Sequence, residues 1–170
     1  MVYRQLSVLN RLPSKDTPIV DVGCGDGRIL KPFYDAGYSV IGIDSNSIKI
    51  NEAQSAMPQG KFRVENIEHC QILRDGFFIA RNSLPFLKSK DNVINFINKI
   101  RDHSFYLTLF GEKDEKAIDR SALWWNRDEV DALIARIGNV IRFSETIGES
   151  TNLAGKPRQS HIFEIYRIIK

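Results

Sequence analysis

The sequence predicts an α/β fold, an open and mostly parallel sheet covered by helices, on three observations. Short apolar or β-branched runs alternate with stretches of helical periodicity, and the first run breaks into a turn with three closely spaced glycines. The last two runs have no helix between them. A parallel pair needs a crossover, usually a helix, whereas two strands joined by a loop alone run antiparallel. The chain has 170 residues, 42% of them hydrophobic and 26% charged, which suits one domain over 1–170 with a helical lead-in over 1–15.

The elements follow in order. Val2, Leu6 and Leu9 give a weak amphipathic helix over 1–11, which packs on the sheet edge or covers a ligand site. Strand one is the run Ile19-Val20-Asp21-Val22. A helix over 29–36 follows the glycine turn, with Gly37 as its stop; Pro32 makes it kinked or late to start. Strand two, 38–44, alternates and ends in an acid, a helix covers 45–57, and strand three is 61–65. Strand four, 76–80, is wholly apolar and therefore central.

Asp91 caps a helix with Val93, Ile94, Ile97 and Ile100 as its apolar stripe. Strand five is 104–110, followed by the charged loop 111–115. Asn126 and Glu129 approximate a capping box for a helix that buries Val130, Leu133, Ile134 and Ile137 and stops at Gly138. Trp124 and Trp125 before it form a core anchor or floor a pocket. Strands at 139–145 and 161–168 close the sheet, joined by a mobile basic loop over 148–160 that carries Lys156 and Arg158.

The glycine turn decides the ligand class. Glycine takes positive φ and lets a ligand approach the backbone. A dinucleotide fingerprint requires G-x-G-x-x-G at a helix N-terminus. Here Gly23, Gly25 and Gly27 are spaced G-x-G-x-G, and Arg28 stands where the third dinucleotide glycine belongs. Asp21, two residues before the turn, repels phosphates and suits a cofactor that carries an ammonium and a sulfonium. Asp44 lies seventeen residues beyond Gly27, close to the offset at which an acid grips ribose hydroxyls. It also suits the start of a helix beside Ser45.

The run Asp21-Val22-Gly23-Cys24-Gly25-Asp26-Gly27-Arg28 resembles motif I of the class I S-adenosylmethionine (SAM) dependent methyltransferases. Three further stretches resemble the small members of that family related to the tellurite-resistance type: 80–87, with Leu84-Pro85-Phe86-Leu87; Leu109-Phe110-Gly111-Glu112; and His161-Ile162-Phe163. The resemblance implies a Rossmann-like three-layer sandwich with a seven-stranded, mostly parallel sheet in the order 3-2-1-4-5-7-6, the last strand antiparallel. It implies SAM as cofactor, the ribose on Asp44, the adenine amino group on Asn66 and its ring on Ile67. Asn66 stands where Asp is usual, and equally suits a turn after a strand. The cofactor set expected is Asp21, Gly23, Cys24, Gly25, Gly27, Arg28, Asp44, Ser45, Asn66, Ile67, Ala80 and Arg81.

The acceptor is less legible. Methyl transfer from a sulfonium needs in-line geometry, and a base only where the acceptor keeps its proton. Of His69, His103 and His161, the last is the candidate base by its place in the family pattern, although a lone His on a strand also serves structure. Glu112, Trp124 and Arg158 are candidate substrate contacts. Ser83-Leu84-Pro85-Phe86 lacks the first proline of the signature found in enzymes that methylate base amines, and strand four is followed by no cysteine for covalent cytosine chemistry.

A net charge of +3, spread along the chain, is not the footprint of a nucleic-acid binder, so a small-molecule acceptor is expected. Two cysteines make neither a disulfide framework nor a metal site, and with no long apolar run and no signal-peptide pattern in the sequence neither a membrane span nor a leader is expected, so the cytoplasm is the expected location. Three other readings stay open: a SAM-binding module without catalysis; a nucleic-acid amine methyltransferase, which the missing proline disfavours; and an NAD-dependent oxidoreductase, which the glycine spacing and Asp21 disfavour.

Overall fold

The computed structural model describes residues 2–8, 10–72, 75–112, 114, 122–140, 142–151 and 157–169. The elements are α1 (Val2–Val8), β1 (Ile19–Val22), α2 (Lys31–Asp35), β2 (Val40–Asp44), α3 (Ser47–Ala56), β3 (Lys61–Val64), β4 (Phe77–Ala80), α4 (Lys90–Ile100), β5 (Ser104–Gly111), β6 (Trp124–Trp125), α5 (Arg127–Ile137), β7 (Arg142–Thr151) and β8 (Pro157–Arg167). A single 3-10 turn, Leu84–Phe86, precedes α4.

One sheet runs through the chain in the order β3-β2-β1-β4-β5-β8-β7, with β6 attached to β5. The pairs from β3 across to β5 are parallel, and β8 is antiparallel to both β5 and β7. This is the order expected from the sequence, with β7 and β8 as its sixth and seventh strands. The addition is β6. Trp124 and Trp125 pair in parallel with Phe110 and Gly111, on the edge that β4 vacates beyond Leu107, because β8 already holds the other edge at Phe110. Two residues are too few to carry a period, so the sequence does not mark this strand.

Alternation along the strands separates the core into two faces. Val20, Val22, Phe78, Phe105, Leu107 and Phe163 pack against Val93, Phe96, Ile97 and Ile100 of α4 and Val130 and Leu133 of α5. Ile19, Phe77, Ile79, Tyr106 and Tyr166 face the other way, against Val2 and Leu6 of α1, Phe33 of α2 and Ile50 and Ala53 of α3. The result is the three-layer sandwich. Each fully buried Phe or Leu in these faces contributes roughly 1.5–3 kcal/mol relative to exposure.

Helix ends show where local chemistry and expectation part. Pro32 sits in the first turn of α2, where its missing N–H costs nothing, so the helix starts at Lys31 rather than at 29. The cap of α3 is Asn46, whose side chain accepts from the Ile48 and Lys49 amides, which leaves Asp44 free of that task. The cap of α4 is Ser89, accepting from Asn92 N, and not Asp91, which lies two residues further in; Phe96 joins the buried stripe. The Asn126–Glu129 capping box on α5 is present as expected, and Gly138 ends that helix.

The hairpin departs most from the sequence reading. Strands β7 and β8 stay paired from Arg142↔Tyr166 out to Thr151↔Pro157, so much of the stretch expected as loop is strand. Beyond Phe110↔Ile162 no third strand pairs with this arm at its β5 side among the described residues. With no core to meet, its residues carry no apolar alternation, and the sequence therefore reads as loop. Residues 152–156, including Lys156, lie outside the described residues.

Candidate active site

β1 delivers the chain to the C-terminal edge of the sheet, where open α/β sheets hold ligands. There Gly23 N and Cys24 N both donate to Ile43 O of β2, at 2.7 and 3.1 Å, which ties the turn to its neighbour strand. Gly23 and Gly27 have φ of 78° and 80°, a region side chains avoid. Space forbids a side chain too: a Cβ on Gly23 would lie 2.3 Å from Ser83 Cβ, and one on Gly27 would lie 2.4 Å from Met57 Cε and 3.2 Å from Ala53 Cβ. Gly25 meets nothing within 4 Å, so its backbone faces open space.

Asp44 ends β2 and braces this turn. Its Oδ2 accepts from Gly25 N at 2.8 Å and its Oδ1 from Asn46 N at 2.8 Å. Each carboxylate oxygen has a further lone pair, so the group is held in place and still able to accept.

A cleft of about 350 Å³ opens over this edge. Five of the expected residues line it: Gly23, Asp44, Ser45, Asn66 and Ile67. Asn66 Oδ1 accepts from Glu68 N at 2.8 Å, so the side chain does close a turn. The cleft's remaining wall comes from Glu68 and the segment after β4, with Asn82, Ser83, Phe86, Leu87 and Lys88.

Glu68 is anchored by Asn92 Nδ2 at 2.6 Å and by Lys88 N at 3.1 Å, and these bonds, Asn92 first, hold its carboxyl below the usual range. It joins the loop after β3 to α4. The stretch 80–87 carries a family resemblance in the sequence, but no cofactor role is expected there of Asn82, Ser83 or Phe86; the contact that selects Ser83 is its approach to Gly23, sixty positions away in the chain.

Two buried polar groups beside Gly23 have no protein partner. Both oxygens of Asp21, which is 1% exposed, lack a hydrogen bond, and so does Ser83 Oγ, at 8% exposure. Burial, and then the charge of Asp44, push the Asp21 carboxyl up to about 7, against the opposing charge of Arg81. An uncompensated buried carboxylate costs several kcal/mol, on the order of 3–5, and persists where a ligand or a function compensates it. These orphans are what a cationic ligand segment over the turn requires.

The other expected cofactor residues lie off the cleft wall. Cys24 is buried, its thiol packed toward Gly42 and pushed upward by burial and by Asp21. Arg28 is exposed and paired with Asp26 at 3.0 Å. Gly27 packs on α3, and Ala80 is fully buried in β4. Arg81 is half-buried, and its charge acts on both Asp21 and Tyr106.

His161 is buried near the end of β5, its ring against Gly111, where an added Cβ would lie 2.2 Å from Cγ. Its Nε2 is 2.8 Å from Glu145 Oε1, and its backbone N donates to Asp114 Oδ2 at 3.0 Å. Glu145 also accepts from Arg127 at 2.9 Å; the His161 bond, followed by the Arg127 bond, keeps its carboxyl low. His161 is thus built into a polar chain, away from the cleft lining.

Glu112 is exposed at the end of β5. Trp124, 44% exposed, lies under Lys90 Nζ at 5.1 Å, whereas Trp125 is buried as the core anchor. Arg158 is placed on β8 opposite Ser150; its side chain lies outside the described residues. Among the described residues no His, Cys, Asp and Glu group is arranged to hold a metal ion, and no helix is long and apolar enough to cross a membrane.

A model of the methyltransferase domain matches residues 19–103, half of the chain. The chain belongs to the SAM-dependent methyltransferase family. The matched span holds every residue on the cleft wall, from Gly23 to Lys88.

Solved methyltransferases share the fold at low identity. A SAM-dependent methyltransferase from Methanosarcina mazei is 18% identical with a TM-score of 0.73, the match covering 96% of this chain and 98% of that one. Magnesium protoporphyrin IX methyltransferase from Synechocystis, solved with S-adenosylhomocysteine (SAH) bound, is 20% identical with a TM-score of 0.73, over 98% and 80%. TehB from Haemophilus influenzae is 15% identical with a TM-score of 0.76, over 99% and 61%. No curated protein matches the sequence.

Proposed function

We propose that this methyltransferase, acting as one domain over 1–170, moves a methyl group from SAM to a small-molecule acceptor in the cytoplasm. The observation that carries the cofactor assignment is the pair of orphaned buried groups, Asp21, two residues before Gly23, and Ser83, packed against Gly23. A cationic amino-acid end over the turn gives both a partner. Asp44, already fixed by two backbone amides, accepts the ribose hydroxyls, and Ile67 with the Asn66 amide forms the adenine wall.

SAM supplies the activated methyl, on a sulfonium that is a good leaving group. What the chain contributes is position. Gly23 and Ser83 set the depth of the cofactor's amino-acid end, Asp44 sets its rotation, and the acceptor approaches over the ends of β4, β5 and β8. Holding two reactants in near-attack geometry is worth about 7–11 kcal/mol of barrier, so these contacts suffice for an acceptor that arrives as a competent nucleophile. In this reading His161, fixed by Glu145 and Gly111, holds the end of β8 against the loop after β5 rather than taking a proton.

A crystal structure with SAH bound tests the assignment. It is expected to place adenine against Ile67, the ribose on Asp44 and the amino-acid end beside Asp21 and Ser83. Density for SAH anywhere else contradicts it.

A further inference from the structure

The cleft wall carries a second anchored carboxylate, Glu68, where the loop after β3 meets the start of α4. Its main chain is fixed on both sides: Glu68 N donates to Asn66 Oδ1 at 2.8 Å, and Glu68 O accepts from Lys99 Nζ at 3.2 Å. The side chain is only 9% exposed. Oε1 takes two hydrogen bonds, from Asn92 Nδ2 at 2.6 Å and from Lys88 N at 3.1 Å. Oε2 takes none among the described residues; the Lys88 ammonium stands 3.8 Å off, on a side chain that is 80% exposed. Unlike the sealed oxygens of Asp21, Oε2 keeps accessible surface, and it belongs to a residue of the cleft wall. A carboxylate this buried and this firmly held, with one oxygen unfilled, calls for a donor from outside the protein.

The Asn92 bond, followed by the Lys88 N bond, keeps the Glu68 carboxyl low, so the group is an anion at neutral pH. It adjoins Ile67, against which the cofactor's base is proposed to lie, and a base presents its polar edge beside the wall it packs on. Adenine carries an exocyclic amine on that edge, a donor of two N–H bonds; hypoxanthine and guanine carry a carbonyl oxygen at the same atom. An anionic acceptor bonds the amine and repels the carbonyl. Asn66 is the weaker reader of that edge, because its Oδ1 already accepts from Glu68 N and its amide has no charge.

We propose that Glu68 Oε2 accepts from the exocyclic amine of the cofactor's adenine and thereby makes the cleft specific for adenosyl over inosyl and guanosyl cofactors. The inference rests on the SAM reading of the cleft. It moves the amine from Asn66, where the family pattern puts it, to an acid two positions further on that is held by α4. Asn92, on α4 and off the cleft wall, is the positioning residue, since it occupies Oε1 and leaves Oε2 for the base.

The test is a calorimetric titration of the full chain with SAH and, separately, with S-inosylhomocysteine, which carries a carbonyl oxygen in place of the amine. Wild type is expected to favour SAH by about thirtyfold or more, as a site built to bond an N–H rejects the analogue without it. Glu68→Gln keeps an oxygen for Asn92 and Lys88 N and puts an amide donor in place of Oε2. It is expected to bind SAH about tenfold more weakly and S-inosylhomocysteine no more weakly than wild type, so that the preference falls to about threefold. A merely structural role would weaken both ligands alike and leave the preference where it was.

Equal binding of the two ligands by wild type overturns the proposal and leaves the cofactor reading standing. So does an unchanged preference in Glu68→Gln. Should Glu68→Gln fail to fold, Asn92→Ala decides in its place: loss of the anchor is expected to cut the preference about threefold or more, and an unchanged preference overturns the proposal. A failure of SAH to bind wild type is seen on its own, before any comparison, and refutes the cofactor reading together with this one.

Discussion

Replacing Asp21 with Asn removes a buried charge and keeps the shape of the side chain. Asp21 sits beneath the glycine turn with both oxygens unpartnered, and its carboxyl is pushed from 3.8 to about 7, by burial first and by Asp44 second. A folded-state value above the unfolded one means that the native protein holds its proton longer, so stability falls as pH rises between roughly 4 and 7 and stays low above that window. From pH 5 upward two pH units separate the solution from the folded value, and at about 1.4 kcal/mol per unit the wild type loses about 3 kcal/mol by pH 8.

Asp21→Asn has no proton to lose. Its stability relative to wild type is therefore expected to improve by about 3 kcal/mol between pH 5 and pH 8, which at 2–4 °C per kcal/mol is a relative Tm gain on the order of 10 °C. Any constant cost of the new amide cancels in that difference. The assay is thermal or urea unfolding of both proteins at the two pH values without ligand, then with SAH. With SAH the wild type is expected to gain and the variant to gain much less. A stability gap that does not move with pH, or equal SAH stabilisation in both proteins, refutes the reasoning.

Three further substitutions bear on the same site. Asp44→Ala removes the bonds to Gly25 N and Asn46 N as well as the proposed ribose contact, and is expected to cost roughly 2 kcal/mol or more of SAH affinity, about thirtyfold by calorimetry. Ser83→Ala deletes a buried hydroxyl without a partner; the ligand-free protein is expected to melt at or slightly above the wild-type temperature, while SAH binds about five- to tenfold more weakly, near 1 kcal/mol. Gly27→Ala forces a side chain into positive φ against Met57 and Ala53, and is expected to lower stability by about 1–3 kcal/mol in urea unfolding.

The parts of this protein legible from sequence are those set by short-range chemistry. Gly23, Gly25 and Gly27 announce a turn, Asp44 follows at a nucleotide-binding offset, and the Asn126–Glu129 box marks its helix within four residues. Asn66 and Ile67 reach the cleft wall for the same reason, as they follow directly after β3.

What was not legible depends on contacts between distant segments. Ser83 belongs to the cleft because the chain after β4 crosses over Gly23. Asn82 is held by Thr108 across a strand. β6 exists because β4 stops short and leaves an edge of β5 open. Ser89 rather than Asp91 caps α4, although either residue type satisfies the cap rule. His161 matched a family position, yet the partner that explains its burial, Glu145, is sixteen residues away on the other arm of the hairpin.

The central claim is that the cleft over Gly23 and Asp44 takes SAM and not a dinucleotide. Side-by-side calorimetric titrations of SAH and NADH into the full chain test it most directly. Saturable binding of SAH at one site per chain, with no heat from NADH, is the result predicted; tight NADH binding without SAH binding would contradict it.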